Sequence, residues 1–281
     1  MNKYRYNQKK ISNLLESFLI LVGISILFIF LSYSLFGRLG FIFGGLIIFF
    51  SFVFIQTQAH SLALRLYKAQ YLPPDRSPKL YHLVNQLGKS AGIEYLPQIY
   101  LIPHDLCLAF STGNKKNPVI ALSNGILSCM NQRELSGILA HEISHIAQGD
   151  LIISTLTQLI GRVASSFVSM ASFILILMFP LIAFGAVRVN LTALLIVMGL
   201  PTIITLLQLK LSRTREYNAD LEGSRLTGDP LGLASALIKM SHSTMGLFGP
   251  TVKTPPEFLS THPETNKRVK ALEDLADTFT P

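Results

Sequence analysis

The sequence predicts an α-helical membrane protein with four transmembrane helices and a mainly helical α+β domain that carries a small β-sheet. Hydrophobic residues make up 49% of the chain and charged residues 14%, and the mean hydropathy is +0.44. A spanning helix needs about 20 apolar residues. Four uncharged stretches of 17 to 25 residues meet this requirement, the second only just: Phe18–Phe36, Leu39–Ile55, Val163–Val187 and Val189–Leu209. One such stretch could be a buried core helix, but four favour a membrane protein.

The distribution of basic residues predicts the orientation of these spans. Residues 1–17 contain four Lys and Arg, residues 56–162 contain nine and residues 210–281 contain nine, whereas the turns within the two hairpins hold only Arg38 and Arg188. Because basic residues accumulate on the cytoplasmic side, both termini and the central segment are expected there. The net charge of +8 is scattered without interleaved aromatic residues, so we expect no nucleic-acid partner. The lipid bilayer is expected to surround the four spans.

These observations divide the chain into five parts. They are a basic cytoplasmic tail (1–17), a first transmembrane hairpin (18–57), the first part of the folded domain (58–150), an interfacial segment with the second hairpin (151–209) and the second part of the folded domain (210–281).

The first part of the folded domain contains one predicted helix and three predicted strands before residue 131. Ser77-Pro78 favours a helix start, with Ser as N-cap and Pro at the first position, and the helix continues to about Ala91. Strands are predicted at Gln98–Ile102, Leu106–Thr112 and Val119–Ser123, the last two joined by a charged hairpin loop. Cys107 and Cys129 form no C-x-x-C pair and lie on the expected cytoplasmic side, so both are expected to be reduced thiols.

A metal-binding motif lies in the next helix. Asn131 and Glu134 form a predicted capping box that begins this helix. His141 and His145 then lie one turn apart on one face and can share one metal ion. Glu142, beside the first ligand, is placed to accept a proton from the attacking water. This H-E-x-x-H pattern is the signature of zinc-dependent peptidases.

The distance from this motif to the third span predicts a bend in the chain. A straight helix from His145 to Val163 would hold the metal about 27 Å from the membrane, while Glu216 follows the fourth span closely. Either the chain bends near Gly149-Asp150, or the third span begins earlier and takes Arg162 into the membrane, which is costly. We favour the bend.

A catalytic zinc ion uses three protein ligands, so the motif is one ligand short. Glu216 and Asp220 lie one turn apart in the segment after the fourth span. This spacing suits Glu216 as the third ligand and Asp220 as a group that orients a ligand imidazole. The alternative is a juxtamembrane helix with solvated charges, but the missing ligand favours a site that binds one Zn²⁺ per chain.

The strand before the metal helix is a candidate substrate-binding strand. A sheet edge beside a metal can hold an extended peptide by backbone pairing. The candidate edge residues are Leu108, Ala109, Phe110 and Ser111. An ordinary core hairpin is the alternative.

A family resemblance is carried by the H-E-x-x-H motif with Gly149-Asp150 after it, by Glu216-x-x-x-Asp220, and by Thr261-His262-Pro263 followed by Arg268. The sequence resembles the HtpX-type membrane zinc proteases, which are bacterial relatives of the CAAX prenyl protease. The resemblance implies a zincin-like (gluzincin) catalytic domain, zinc held by His141, His145 and Glu216, and Glu142 as general base. It implies a catalytic role for His262 as a donor to the developing oxyanion. Arg268 is expected to brace the site or to pair with Asp220 or Glu142. For His262 and Arg268, the alternative is the start of a solvated helix at Pro263.

The resemblance further implies a multi-pass protein of the bacterial plasma (inner) membrane with a cytoplasmic active site. Its expected substrates are misfolded or surplus membrane proteins or other unfolded polypeptides, cut in cytoplasmic segments, with other membrane quality-control proteases as further partners. The alternatives are a peptidase for one defined processing step, similar to the prenyl protease, and an inactive metal-binding scaffold. Members of the family that are similar to this chain usually have Asn-Ala-Phe where this sequence has Leu108-Ala109-Phe110, so any substrate contact from that Asn side chain is absent here.

Overall fold

The structure, a computed structural model, describes residues 3–185, 191–248 and 265–279. In these ranges the chain forms eight helices and four strands. In chain order they are α1 (Lys3–Leu66), β1 (Gln70–Tyr71), α2 (Pro78–Ser90), β2 (Gln98–Ile102), β3 (Ala109–Gly113), β4 (Pro118–Ser123), α3 (Asn124–Cys129), α4 (Gln132–Gln148), α5 (Asp150–Ala183), α6 (Leu191–Thr227), α7 (Pro230–Phe248) and α8 (Thr265–Phe279).

The four strands form one mixed sheet in the order β1-β2-β4-β3. The central strand β4 is buried at all six positions and pairs in parallel with β2, which agrees with the rule that parallel pairs are covered on both faces. β3 pairs with β4 in the antiparallel direction and forms one edge of the sheet, and the two-residue strand β1 forms the other. Helix α2 and the first and last predicted strands lie within one residue of their predicted positions.

The middle strand begins three residues later than the sequence predicts, because the side chain of Ser123 takes over the pairing. The Ser123 hydroxyl donates to the carbonyl of Leu106 (2.5 Å) and accepts from the backbone N–H of Leu108 (3.0 Å). It also accepts from the N–H of Ile126 and so caps α3. With its donor and both acceptor positions in use, this hydroxyl holds residues 106–108 as a loop.

The two cysteines come together across the short helix α3, which the sequence analysis did not predict. The sequence predicts reduced thiols, but the structure joins Cys107 and Cys129 in a disulfide. That prediction is wrong for this structure. The physical reason is that α3 turns back over the loop before β3, where Gly125 packs directly on the backbone of Asp105.

Helix α4 begins with the predicted capping box, which is confirmed. The Asn131 side chain accepts from the N–H of Glu134, and the Glu134 carboxylate accepts from the N–H of Asn131, both at 2.9 Å. The same carboxylate accepts from Ser235 and Lys239 of α7, each at 2.7 Å. Burial alone would raise the pKa of Glu134, but Lys239 and the hydrogen bonds outweigh it and hold this pKa below its usual value. The hydrogen bonds at the start of α4 therefore also connect α4 to α7.

The bend expected after the metal motif is present. Helix α4 ends at Gln148, and α5 begins at Asp150. Between them Gly149 has φ of 72°, and its N–H is directed to the carbonyls of His145 and Ile146. Glycine adopts this left-handed conformation without steric cost, which is why it commonly ends helices. The chain therefore leaves the metal helix in a new direction within one residue.

A second hydrophobic cluster joins α1, α5 and α6. Helix α1 is interrupted at Gly37 (φ 59°, ψ −138°), and the two arms fold back so that Gly44 packs against Ser32. Phe28 of the first arm is fully buried with Ile160 of α5 and Ile204 of α6. Over the described residues, none of the helices is both long and apolar enough to cross a membrane. The four predicted spans are therefore not confirmed and stay a prediction.

Candidate metal centre

Helices α4 and α6 bring two imidazoles and one carboxylate together. The Nε2 atoms of His141 and His145 are 3.2 Å apart. Nε2 of His141 lies 3.6 Å from Oε2 of Glu216, and Nε2 of His145 lies 3.9 Å from Oε1 of the same carboxylate. One ligand atom from each residue can be chosen so that all three lie within 4.8 Å of one another.

These separations fit a tetrahedral metal ion. Zinc bonds of about 2.0–2.2 Å to nitrogen and oxygen place two ligand atoms of a tetrahedron roughly 3.3–3.6 Å apart. The 3.2 Å separation of the two imidazole nitrogens and the 3.6 Å separation of His141 from Oε2 of Glu216 lie close to this range, and the 3.9 Å separation joins His145 to the other carboxylate oxygen. Two imidazoles and one carboxylate are also a donor set that suits a borderline divalent ion. The residues present can therefore hold one such ion.

Asp220 supports the first imidazole from behind. Its Oδ1 lies 3.0 Å from Nδ1 of His141. A carboxylate at Nδ1 favours the imidazole tautomer that leaves Nε2 free for the metal. Glu216 and Asp220 share one face of α6 because they are four residues apart.

Arg268 of α8 joins both acidic residues of α6. Its guanidinium donates two hydrogen bonds to the Asp220 carboxylate (2.6 and 2.7 Å) and lies 2.8 Å from Oε2 of Glu216. Burial opposes the charge on both groups, but their attraction is stronger. It holds the pKa of Asp220 below its usual value, together with the contact to His141, and raises the pKa of Arg268. Of the two partners predicted for Arg268, Asp220 is in direct contact.

The other predicted site residues lie in different places. Glu142 follows His141 on α4 and is buried. Its negative charge contributes to the raised pKa of Arg268. Leu108 directly precedes the edge strand β3, and Ala109, Phe110 and Ser111 lie in it. His262 lies outside the described residues. The catalytic and substrate-binding roles of these residues stay predictions.

A glycine that no motif of the sequence indicates also borders the site. Gly223 of α6 lies against the backbone of α4 at His141. The available signal was its spacing, since it follows Glu216 by seven residues and therefore falls on the same helix face.

Two histidines one turn apart with a carboxylate beside the first, completed by a glutamate from a second helix, define a metal-dependent peptidase of the gluzincin class. The profile of Peptidase family M48 matches residues 74–276 of the chain. The chain belongs to this family and is a metalloprotease, a hydrolase.

Three relatives, each called "Protease HtpX homolog", confirm the resemblance inferred from the motifs. The Paraburkholderia phytofirmans protein is 31% identical over 254 residues, covering 82% of this chain and 84% of its own. The Ralstonia nicotianae protein is 30% identical over 298 residues (95% and 98%), and the Thermococcus sibiricus protein 33% over 240 residues (78% and 80%). The crystal structure of S. mikatae Ste24p shares the fold with a TM-score of 0.55 at 20% identity, covering 95% of this chain and 67% of that one.

Proposed function

We propose that the chain is a zinc-dependent endopeptidase anchored in the bacterial plasma membrane, where it cuts cytoplasmic segments of misfolded or surplus membrane proteins. The observation that carries the proposal is the cluster of His141, His145 and Glu216 at metal-binding distances, with buried Glu142 beside it. An inactive metal-binding scaffold is a weaker alternative, because a scaffold has no use for a general base next to the metal.

Each residue of the centre has a separate task in peptide hydrolysis. A zinc ion held by His141, His145 and Glu216 would lower the pKa of a water molecule and polarise a carbonyl group. Glu142 accepts the proton of the attacking water and delivers it to the leaving amine. Asp220 and Arg268 hold His141 and Glu216 in place. His262 is proposed as a donor to the developing oxyanion.

The pairing pattern of β3 supports its role as the substrate strand. The N–H of Ser123 donates to the carbonyl of Leu108 (2.9 Å), and the N–H of Leu108 donates to the Ser123 hydroxyl, so the backbone groups of Leu108 face Ser123 in the position of a hydrogen-bonded pair. Such pairs alternate along an antiparallel ladder, so Phe110 and Thr112 also direct their backbone groups towards β4. The backbone groups of Ala109 and Ser111 then point to the open edge, where an extended peptide could pair with them.

Backbone pairing favours broad substrate use over one defined processing step. A peptide added to a sheet edge is held by its main chain, and side-chain pockets are needed for specificity. Quality control needs such tolerance, whereas a processing peptidase similar to the prenyl protease must select one substrate. Strand pairing also requires an extended chain, which an unfolded segment offers and a folded domain does not.

Apolar side chains on the long helices support the membrane anchor. Large apolar side chains are exposed on the first arm of α1, on α5 and on α6, with 59% of Phe18, 74% of Ile176 and 65% of Leu195 accessible. Exposed apolar surface of this extent marks a contact with lipid or protein. The basic residues outside the proposed spans favour cytoplasmic termini and a cytoplasmic active site. Alkaline extraction of cell membranes tests the anchor, and full release of the chain would contradict it.

The function is tested with two substrates, an unfolded soluble polypeptide and a prenylated C-terminal peptide. The purified full chain in detergent, loaded with zinc, is expected to cut the unfolded polypeptide at several positions and to leave the prenylated peptide intact. Cleavage of the prenylated peptide at one bond, with no cleavage of the polypeptide, would instead establish the processing alternative. No cleavage of either substrate by zinc-loaded protein would favour the scaffold.

The same assay tests the substrate strand through Ser111→Pro. Proline removes the outward N–H without breaking the ladder to β4, a position at which edge strands tolerate proline. Loss of one hydrogen bond of about 1–1.5 kcal/mol predicts a drop in kcat/KM of roughly tenfold, with the thermal midpoint nearly unchanged. Ser111→Ala keeps the N–H and is the matched control, expected to stay within twofold of wild type by the same estimate. Equal effects of the two variants would contradict backbone pairing at this edge.

A further inference from the structure

Helix α6 packs against the backbone of helix α4 where Gly223 meets His141. A Cβ atom on Gly223 would lie 3.0 Å from the backbone nitrogen of His141, 3.2 Å from its Cα and 3.3 Å from the carbonyl carbon of Ala140. All three neighbours are backbone atoms, so no side chain can rotate away to make room. Only glycine fits at this position without a shift of one helix.

The crossing point lies on the same face of α6 as the acidic residues of the metal centre. Glu216, Asp220 and Gly223 occupy positions i, i+4 and i+7, which form one stripe along a helix. On α4 the contact falls on His141, which is itself a predicted metal ligand. The contact that sets the spacing between α4 and α6 therefore lies beside the place where ligands from both helices must reach one ion.

Helix α4 cannot move away to accept a larger residue at position 223. Residues 137–144 of α4 are all buried. One turn before His141, Gly137 packs against α7, and a Cβ there would lie 2.9 Å from Cα of Leu233. Because eight consecutive buried residues cover every side of α4 around His141, a methyl group at position 223 is expected to displace α6, which carries Glu216 and Asp220.

We propose that Gly223 is a positioning residue that sets the distance between the histidine ligands of α4 and Glu216 of α6, and with it the affinity and the ion-size preference of the metal centre. The inference rests on the proposed zinc site. Metal–ligand distances tolerate about ±0.2 Å, and a methyl group at a 3.0 Å contact requires a displacement of similar size. A change that alters no ligand side chain thus weakens metal binding.

The test compares three glycine-to-alanine variants of the full chain in detergent. Gly223→Ala is expected to weaken zinc binding by roughly 10–100-fold, the usual loss when support of a ligand is disturbed. Gly137→Ala is the matched control, with an equally close backbone contact on the same helix but facing α7. It is expected to lower the thermal midpoint while zinc affinity stays within about threefold of wild type, since it leaves the ligand support intact. Gly199→Ala of α6 has nothing within 4 Å of its Cβ and should change neither quantity.

The preferred ion separates positioning from general loss of stability. Cd²⁺ makes longer bonds than Zn²⁺, so a widened site should lose less affinity for Cd²⁺, and the zinc-to-cadmium affinity ratio should fall only in Gly223→Ala. If this variant does not fold without metal, saturating Cd²⁺ should restore its thermal transition better than saturating Zn²⁺ does. Equal effects of the two ions, or equal zinc loss in Gly223→Ala and Gly137→Ala, would overturn the proposal.

Wild-type protein distinguishes this failure from failure of the proposed function. If wild type binds one zinc ion and cuts the unfolded polypeptide while Gly223→Ala binds zinc as tightly, only the positioning role is wrong. If wild type binds no zinc, the proposed function itself is wrong, and the positioning role is wrong with it.

Discussion

Replacement of Glu142 by glutamine is expected to abolish peptide hydrolysis and to leave the metal bound. Glutamine has nearly the shape of glutamate but cannot accept the proton of the attacking water. A general base contributes about 10²–10⁴-fold to the rate, so turnover of the unfolded polypeptide should fall by at least about two orders of magnitude. The rate and the bound zinc are measured on the same preparation.

Glu216→Gln is the matched comparison, because it makes the same chemical change in the predicted ligand instead of the predicted base. It should lose zinc and activity together, whereas Glu142→Gln should lose activity alone. A Glu142→Gln enzyme that keeps more than about a tenth of wild-type turnover would contradict the general-base role, given the usual size of that contribution.

Removal of the Arg268 side chain is expected to cause the largest loss of stability in the metal-free protein. The guanidinium contacts the carboxylates of Asp220 and Glu216 in a buried environment. Arg268→Ala leaves these carboxylates without their cation, and breaking a buried ion pair in this way costs about 3–5 kcal/mol. The free energy of unfolding of the metal-free chain, measured in denaturant, should fall by this amount.

Zinc should reverse part of this loss. A bound divalent cation replaces some of the missing positive charge, so the zinc-induced rise in the thermal midpoint should be larger in Arg268→Ala than in wild type. Arg268→Lys keeps the charge but loses the planar fork that binds Asp220 through two hydrogen bonds. The stability of this variant should lie between those of wild type and Arg268→Ala. If metal-free Arg268→Ala were as stable as metal-free wild type, the proposal that Arg268 holds the two carboxylates in place would be contradicted.

Local signals in the sequence predicted the parts of the fold that depend on neighbouring residues. The capping box of Asn131 and Glu134 and the break at Gly149 are both fixed within one turn of helix. Strand β3 begins later than the local pattern indicates, because the side chain of Ser123, distant in sequence, binds the carbonyl of Leu106 and the N–H of Leu108. Strand β1 is only two residues long and depends on its pairing with β2, which no local pattern of the sequence indicates.

The metal centre shows the same division between local and distant information. The positions of His141 and His145 follow from helical periodicity alone. Glu216 was assigned because a two-histidine site lacks a ligand, and the structure places its carboxylate beside both imidazoles. The spacing of the two helices could not be predicted, since it depends on backbone contacts at Gly223 and Gly137.

The most direct test of a zinc peptidase centred on His141, His145 and Glu216 is a zinc titration of metal-free wild-type protein with cleavage followed in parallel. The purified chain is stripped with a chelator in detergent, and zinc is returned in steps to the protein and the unfolded polypeptide. Cleavage should rise in proportion to bound zinc and reach its maximum at one ion per chain. Cleavage by the metal-free chain, or zinc binding that is unchanged in Glu216→Gln, would contradict this account.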